Sequence, residues 1–132
     1  MKKLLSILSL AIVLFTVTSC KKETVIAPNN NQTILDNIKS TDWVTDDGGV
    51  TYHVDVNMPE IDDYFNDHGG VLVYLSFTDG VWEQVPEVYG GSSYSYTHNN
   101  GNITLYAQKY NGTGVIDRPD NSAIKIVLVD SQ

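Results

Sequence analysis

The chain is written in two-residue steps. From Thr51 to Asn57 (TYHVDVN), Tyr52, Val54 and Val56 fall on one face and Thr51, His53, Asp55 and Asn57 on the other. That is the period of a strand lying half-buried in a sheet. Val81 to Val85 alternates likewise, with Val81, Glu83 and Val85 opposite Trp82 and Gln84. Val71 to Phe77 (VLVYLSF) is nearly continuous in apolar residues, as suits a central strand covered on both faces. Ser93 to His98, Ile103 to Lys109 and Ala123 to Val129 complete the series, with Ile124, Ile126 and Leu128 on a common face. An opening strand is expected over Thr33 to Ser40, although Ile34, Leu35 and Ile38 also fit one helical turn.

The breaks between these runs are turn chemistry: Asp46-Asp47-Gly48-Gly49, Asp79-Gly80, Gly90-Gly91, Asn99-Asn100-Gly101 and Asn111-Gly112. Asp-Gly and Asn-Gly favour the positive φ angles of tight hairpins. One stretch reads as a helix, Pro59 to His68 (PEIDDYFNDH). Proline opens it, acids fill its first turn, Ile61, Tyr64 and Phe65 share a face, and Gly69 stops it. About seven short strands with one short helix near 59–68 predict an all-β, immunoglobulin-like antiparallel β-sandwich. A partly closed β-barrel is the alternative.

With 132 residues the chain holds one domain, and 42% apolar content is ordinary for a globular fold. Eight basic against 16 acidic side chains argue against nucleic acid, which needs clustered Lys and Arg. One cysteine forms no internal disulfide and no four-cysteine zinc site.

That cysteine has a telling context. Lys2 and Lys3 precede a mostly apolar run from Leu4 to Val17, too short to span a bilayer and of the length of a signal-peptide core. Val17-Thr18-Ser19-Cys20 follows, then polar Lys21-Lys22-Glu23. The tetrapeptide resembles the bacterial lipobox. The resemblance implies cleavage before Cys20, a diacylglycerol thioether on its sulfur and acylation of its new amine. A thiolate is the nucleophile such chemistry requires. One acyl chain holds a protein only marginally, at about 0.8 kcal/mol per buried methylene, whereas three hold it firmly.

The expected organisation is therefore a lipoprotein signal peptide over 1–19, a lipidated cysteine and flexible tether over 20–32, and a single β domain over 33–132. The tether (KKETVIAPNNNQ) carries a proline and three consecutive asparagines. Loss of Lys2 and Lys3 takes the net charge from −8 to −10. From Ser40 onward only Lys109, Arg118 and Lys125 stand against 14 acidic side chains, a balance of −11. A body so acidic is expected to be repelled by anionic lipid surfaces.

Asp42-Trp43, Tyr52-His53-Val54-Asp55-Val56, Met58-Pro59-Glu60-Ile61, Gly70-Val71-Leu72-Val73-Tyr74-Leu75 and Val81-Trp82-Glu83-Gln84-Val85-Pro86 follow one another along the chain. This order resembles a family of small, largely uncharacterised lipoproteins of Gram-negative bacteria, over roughly Thr41 to Val129. The PEI to VLVY stretch is its most specific part. The resemblance implies an anchored, β-rich envelope domain and brings no catalytic residues.

Candidate chemistry is sparse. Nucleophilic catalysis needs a serine or cysteine held by a histidine and an acid. Only His53, His68 and His98 are present, without a G-x-S-x-G elbow. His53 and Asp55 project from one strand face, as two metal ligands would, but polar alternation accounts for them equally. Asp46, Asp47, Asp62, Asp63 and Asp67 supply oxygens of the kind calcium takes, without matching its D-x-[DN]-x-[DN]-G loop. No other cofactor is indicated. Tyr89, Tyr94, Tyr96, Tyr106 and Tyr110 lie among Gly, Ser and Asn in the second half. Tyr94 and Tyr96 share a face, and with Tyr106 they are the candidate platform for a sugar ring or a protein partner.

The expectation is a non-enzymatic, lipid-anchored binding or structural accessory module of the cell envelope. Lys21 at the second mature position favours the outer membrane, with the periplasmic or surface face undecided. The alternative is a glycan- or calcium-binding surface lipoprotein serving polysaccharide capture.

Overall fold

A computed structural model describes residues 30–131. The lipobox, Cys20 and most of the tether lie outside the described residues. Eight strands are formed: β1 (Gln32–Ile38), β2 (Thr51–Asn57), β3 (Gly70–Thr78), β4 (Val81–Val85), β5 (Glu87–Tyr89), β6 (Ser92–Asn99), β7 (Asn102–Lys109) and β8 (Ser122–Val129). They build two four-stranded sheets, ordered β1-β8-β3-β4 and β2-β7-β6-β5, with every pairing antiparallel. The architecture is a β-sandwich. The barrel alternative fails because the two sheets remain separate.

The strand order is its own. In the immunoglobulin arrangement the first two strands are neighbours in one sheet. Here β1 and β2 lie in different sheets, and β8 inserts between β1 and β3. Trp43, fully buried, follows a 3-10 turn (Ser40–Asp42) on the path from one sheet to the other.

Alternation places the core. Val71, Val73 and Leu75 of β3 and Ile124, Ile126 and Leu128 of β8 face Val54, Ile103 and Leu105 of the second sheet, all buried. Each such side chain removed from water contributes about 1.5–3 kcal/mol. Ser93, Ser95 and Thr97 take the outward positions of β6, so Tyr94 and Tyr96 turn inward.

The helix is shorter than its sequence suggests. Pro59 and Glu60 form a turn in which the Ile61 amide donates to the Met58 carbonyl at 3.0 Å. Asp62 then caps α1 (Asp63–His68), its carboxylate accepting from the Phe65 amide at 2.7 Å. Ile61 is therefore buried in the core ahead of the helix, and Tyr64 points outward, stacked on His68. Turn geometry is also more selective than the dipeptides imply. Of the two-residue hairpin turns, only Gly90-Gly91 has positive φ at both positions, 58° and 83°. At Asp79-Gly80 and Asn100-Gly101 only the glycine takes that conformation.

Candidate functional site

A concavity lies at one end of the sandwich, where the end of β3, the β5–β6 turn, the end of β7 and the loop before β8 converge. It is a cleft of about 420 Å³. Its floor is aromatic. The rings of Phe77 and Tyr89 stack 4.3 Å apart at 8°, and Phe77 also meets Tyr94 at 5.0 Å. Tyr89 keeps 41% of its surface exposed, whereas Tyr94 keeps 5%. Trp43 closes the stack from the core side, edge-on to Tyr94 at 6.2 Å.

Sequence chemistry sets this geometry. The Gly90-Gly91 turn lets β5 reverse within two residues, holding Tyr89 beside the start of β6. The loop before β8 is pinned where the Ile116 amide donates to the Gly49 carbonyl at 2.9 Å. Its wall brings Asp117, Arg118 and Asp120 to the cleft, opposite Lys109. Arg118 also lies 5.9 Å from the centre of the Tyr52 ring. Two of the three cations of the acidic body thus border one aromatic floor, with carboxylates beside them. A ring with apolar faces and polar edges fits such a site.

Behind the floor, outside the cleft lining, sits an acidic pair. Glu83 pairs across the ladder with inward-facing Leu75, and Glu87 pairs with inward-facing Tyr94. Both side chains therefore alternate toward the seam between the sheets and are half-buried. Burial, then the charge of Glu83 and a hydrogen bond with it, push the Glu87 carboxyl up to about 7. One Glu87 oxygen is buried without a hydrogen-bond partner, as is the Trp43 indole nitrogen. Burial, followed by the charges of Glu87, Asp120 and Tyr89, raises the Tyr94 hydroxyl to about 12.

The residues singled out from sequence are distributed otherwise. Tyr94 and Tyr96 do share a face, but it is the inner one, so they form no exposed platform. Tyr96 donates its hydroxyl to the Val71 carbonyl, and Tyr106 lies on the opposite, outward face of β7. Asp47 is occupied within its own loop, accepting from Thr45 Oγ1 and from the Val50 and Thr51 amides at 2.8–3.0 Å. The Thr51 amide is the largest cause holding its carboxyl below the usual range, and burial opposes it. Asp46 belongs to the same loop. Asp62 is the helix cap, Asp63 accepts from Asn100, and Asp67 accepts from Asn66 at 3.4 Å. Asp55 accepts from Thr104 at 2.6 Å and from Asn102, which lowers its pKa and accounts for its place beside His53. Among the described residues no three His, Cys, Asp or Glu side chains gather as a metal centre requires.

Sequence reasoning singled out Tyr89 and Tyr110 but missed Phe77, Lys109 and the Asp117–Asp120 wall. A signal existed: from Ser40 onward there are three basic residues, of which Lys109 borders the turn-rich 110–121 segment and Arg118 lies within it. No family model matches the chain, and neither a curated protein nor a solved structure matches it.

Proposed function

We propose that this chain is a lipid-anchored domain of the Gram-negative cell envelope, held at the outer membrane through acylated Cys20 and working as a non-enzymatic binding module. Its ligand in this reading is a glycan, one ring of which lies in the cleft at Tyr89. The observation that carries the reading is the exposed Tyr89 ring, backed by Phe77 at 4.3 Å and bordered by groups of both charges. A pre-stacked ring loses little freedom when a sugar face settles on it, and the flanking Asp, Lys and Arg offer acceptors and donors to hydroxyls.

None of the three histidines lines this cleft. His68 Nδ1 lies 3.0 Å from the Tyr64 carbonyl, and His98 Nδ1 lies 3.0 Å from Asn66 Oδ1. The test is retardation of the protein on native gels containing a panel of polysaccharides. Retardation on at least one, lost in Tyr89→Ala while the melting curve stays within a few degrees, supports the reading. Unaltered mobility throughout the panel overturns it.

A further inference from the structure

The two outer faces of the sandwich are unlike each other. That of the second sheet is mostly polar, with His53, Asp55 and Asn57 on β2, Thr104 and Gln108 on β7, and Ser93, Ser95 and Thr97 on β6, interrupted by Tyr106 on β7 and Val88 on β5. That of the first sheet is largely apolar and aromatic, with Thr33, Asn37, Ser76 and Gln84 as its uncharged polar positions. Register sets Leu35, Lys125, Tyr74 and Gln84 in one row across β1, β8, β3 and β4, and Thr33, Val127 and Leu72 in the next. Lys125 Nζ sits 4.3 Å from the Tyr74 ring centre and 4.7 Å from that of Trp82, so a cation lies between two aromatic rings. Leu35 is 65% exposed.

Among the described residues, the outward positions of these four strands carry no acid. Asp36 and Glu83 belong to the inward-alternating positions of the two edge strands, and Asp79 and Asp130 lie beyond strand ends. In a body with a balance of −11, the sole charge on this face is one positive lysine.

We propose that this face rests on the headgroup layer of the bilayer to which the chain is anchored, with Trp82 and Tyr74 at the boundary between headgroups and acyl chains. The inference rests on the anchor at Cys20. Three observations select lipid as the occupant. The first is composition: Trp and Tyr rings are at home at the membrane interface, and a lysine there keeps its ammonium toward phosphate while its stem lies on apolar surface.

The second is connection. β1 is the edge strand of this sheet, and Gln32 is twelve residues from Cys20, a reach of at most about 40 Å. The third is area. Four strands about 4.8 Å apart and five to nine residues long offer roughly 450 Å². A stable dimer needs about 800 Å² per partner, so this face alone falls short of one. A domain already tethered to the bilayer meets it at high effective concentration, and a small face then suffices. The repulsion expected of the acidic body is avoided because the acids lie elsewhere.

The test uses the full chain, expressed with its leader and reconstituted into phosphatidylcholine vesicles whose acyl chains are brominated near the headgroup. Trp43 is fully buried and Trp82 is not, so the two tryptophans report separately. The expected result is flotation with the vesicles and loss of most Trp82 emission. Trp82→Phe should leave only unquenched Trp43 emission, and Leu35→Glu, at an exposed position, should restore Trp82 emission without loss of flotation. Flotation with Trp82 unquenched overturns the inference while the anchor stands. Failure to float overturns the anchor and the inference with it. A dimer in sedimentation that shields Trp82 from iodide without vesicles assigns the face to a second copy, which also overturns it.

Discussion

The hydroxyl of Tyr96 donates to the main-chain carbonyl of Val71 at 2.6 Å, joining β6 of one sheet to β3 of the other. The bond crosses the seam of the sandwich beside the core. Burial, the larger effect, and the charge of Tyr74 raise the Tyr96 hydroxyl above its usual value, so it remains a donor across the physiological range. Tyr96→Phe keeps the ring and removes only this link. The expected cost is about 1 kcal/mol, the net worth of a typical internal hydrogen bond. In urea denaturation it should appear as a lower midpoint with an unchanged slope. A midpoint equal to wild type would show that the link contributes nothing.

Glu87 makes the fold sensitive to pH near neutrality. Its carboxyl is raised to about 7 from an ordinary 4.5, chiefly by burial and next by Glu83. Between those values the native state holds a proton that the unfolded chain has released. The contribution is therefore whole below about pH 4.5 and is lost as pH rises through about 7. Asp47 and Asp55 act oppositely and lower on the scale. Their depressed carboxyls stabilise the fold above the ordinary aspartate range and lose that effect as pH falls through their native values. Stability should thus peak on the acid side of neutrality, at about pH 5. Urea midpoints measured from pH 5 to 8 should fall with pH, and Glu87→Gln should flatten the slope. A slope unchanged in Glu87→Gln would remove the carboxyl pair from the account.

These two side chains show what the sequence makes legible and what it withholds. The bounds of β2 and β4 are read directly from alternation, because each has one period and no competing pattern. Strand β5 is three residues long, and Glu87-Val88-Tyr89 offers no period to detect. Alternation places Tyr94 and Tyr96 together without saying which way they point. The outward Ser93, Ser95 and Thr97 decide it, since hydroxyls are cheaper to leave in water than tyrosine rings. Sheet order is not local at all. β8 pairs with both β1 and β3 because its isoleucines complete a core assembled from both halves of the chain. The cleft draws on four separated stretches, so only its tyrosines and turn glycines were visible in advance.

The fixed pose of Tyr89 gives a prediction distinct from ligand binding. Phe77 supports the ring at 4.3 Å, and the rest of its contacts belong to the core cluster. Phe77→Leu should keep most of the buried volume and withdraw the flat support. Near-ultraviolet circular dichroism should lose tyrosine signal, with a stability loss of about 1–2 kcal/mol, between a conservative core swap and full truncation. An undiminished tyrosine signal would mean that the stack does not order Tyr89.

Gly69 and Gly91 are needed for different reasons, and alanine separates them. Gly91 sits at φ 83° with nothing within 4 Å of the Cβ position, so Gly91→Ala meets backbone strain alone. Gly69 has an ordinary φ of −82°, yet a Cβ there would lie 2.6 Å from the Phe65 ring. Gly69→Ala therefore drives Phe65 off the helix end, where the Gly69 amide donates to the Phe65 carbonyl at 2.7 Å. An overpacking cost of about 1–3 kcal/mol follows. Trimming the ring relieves the clash. Gly69→Ala in a Phe65→Ala background should cost far less than in wild type, an interaction that a double-mutant cycle by urea denaturation measures directly. Gly91→Ala in that background should cost the same as alone. Equal Gly69→Ala penalties in both backgrounds would show that Phe65 gives way freely and that the glycine serves no packing purpose.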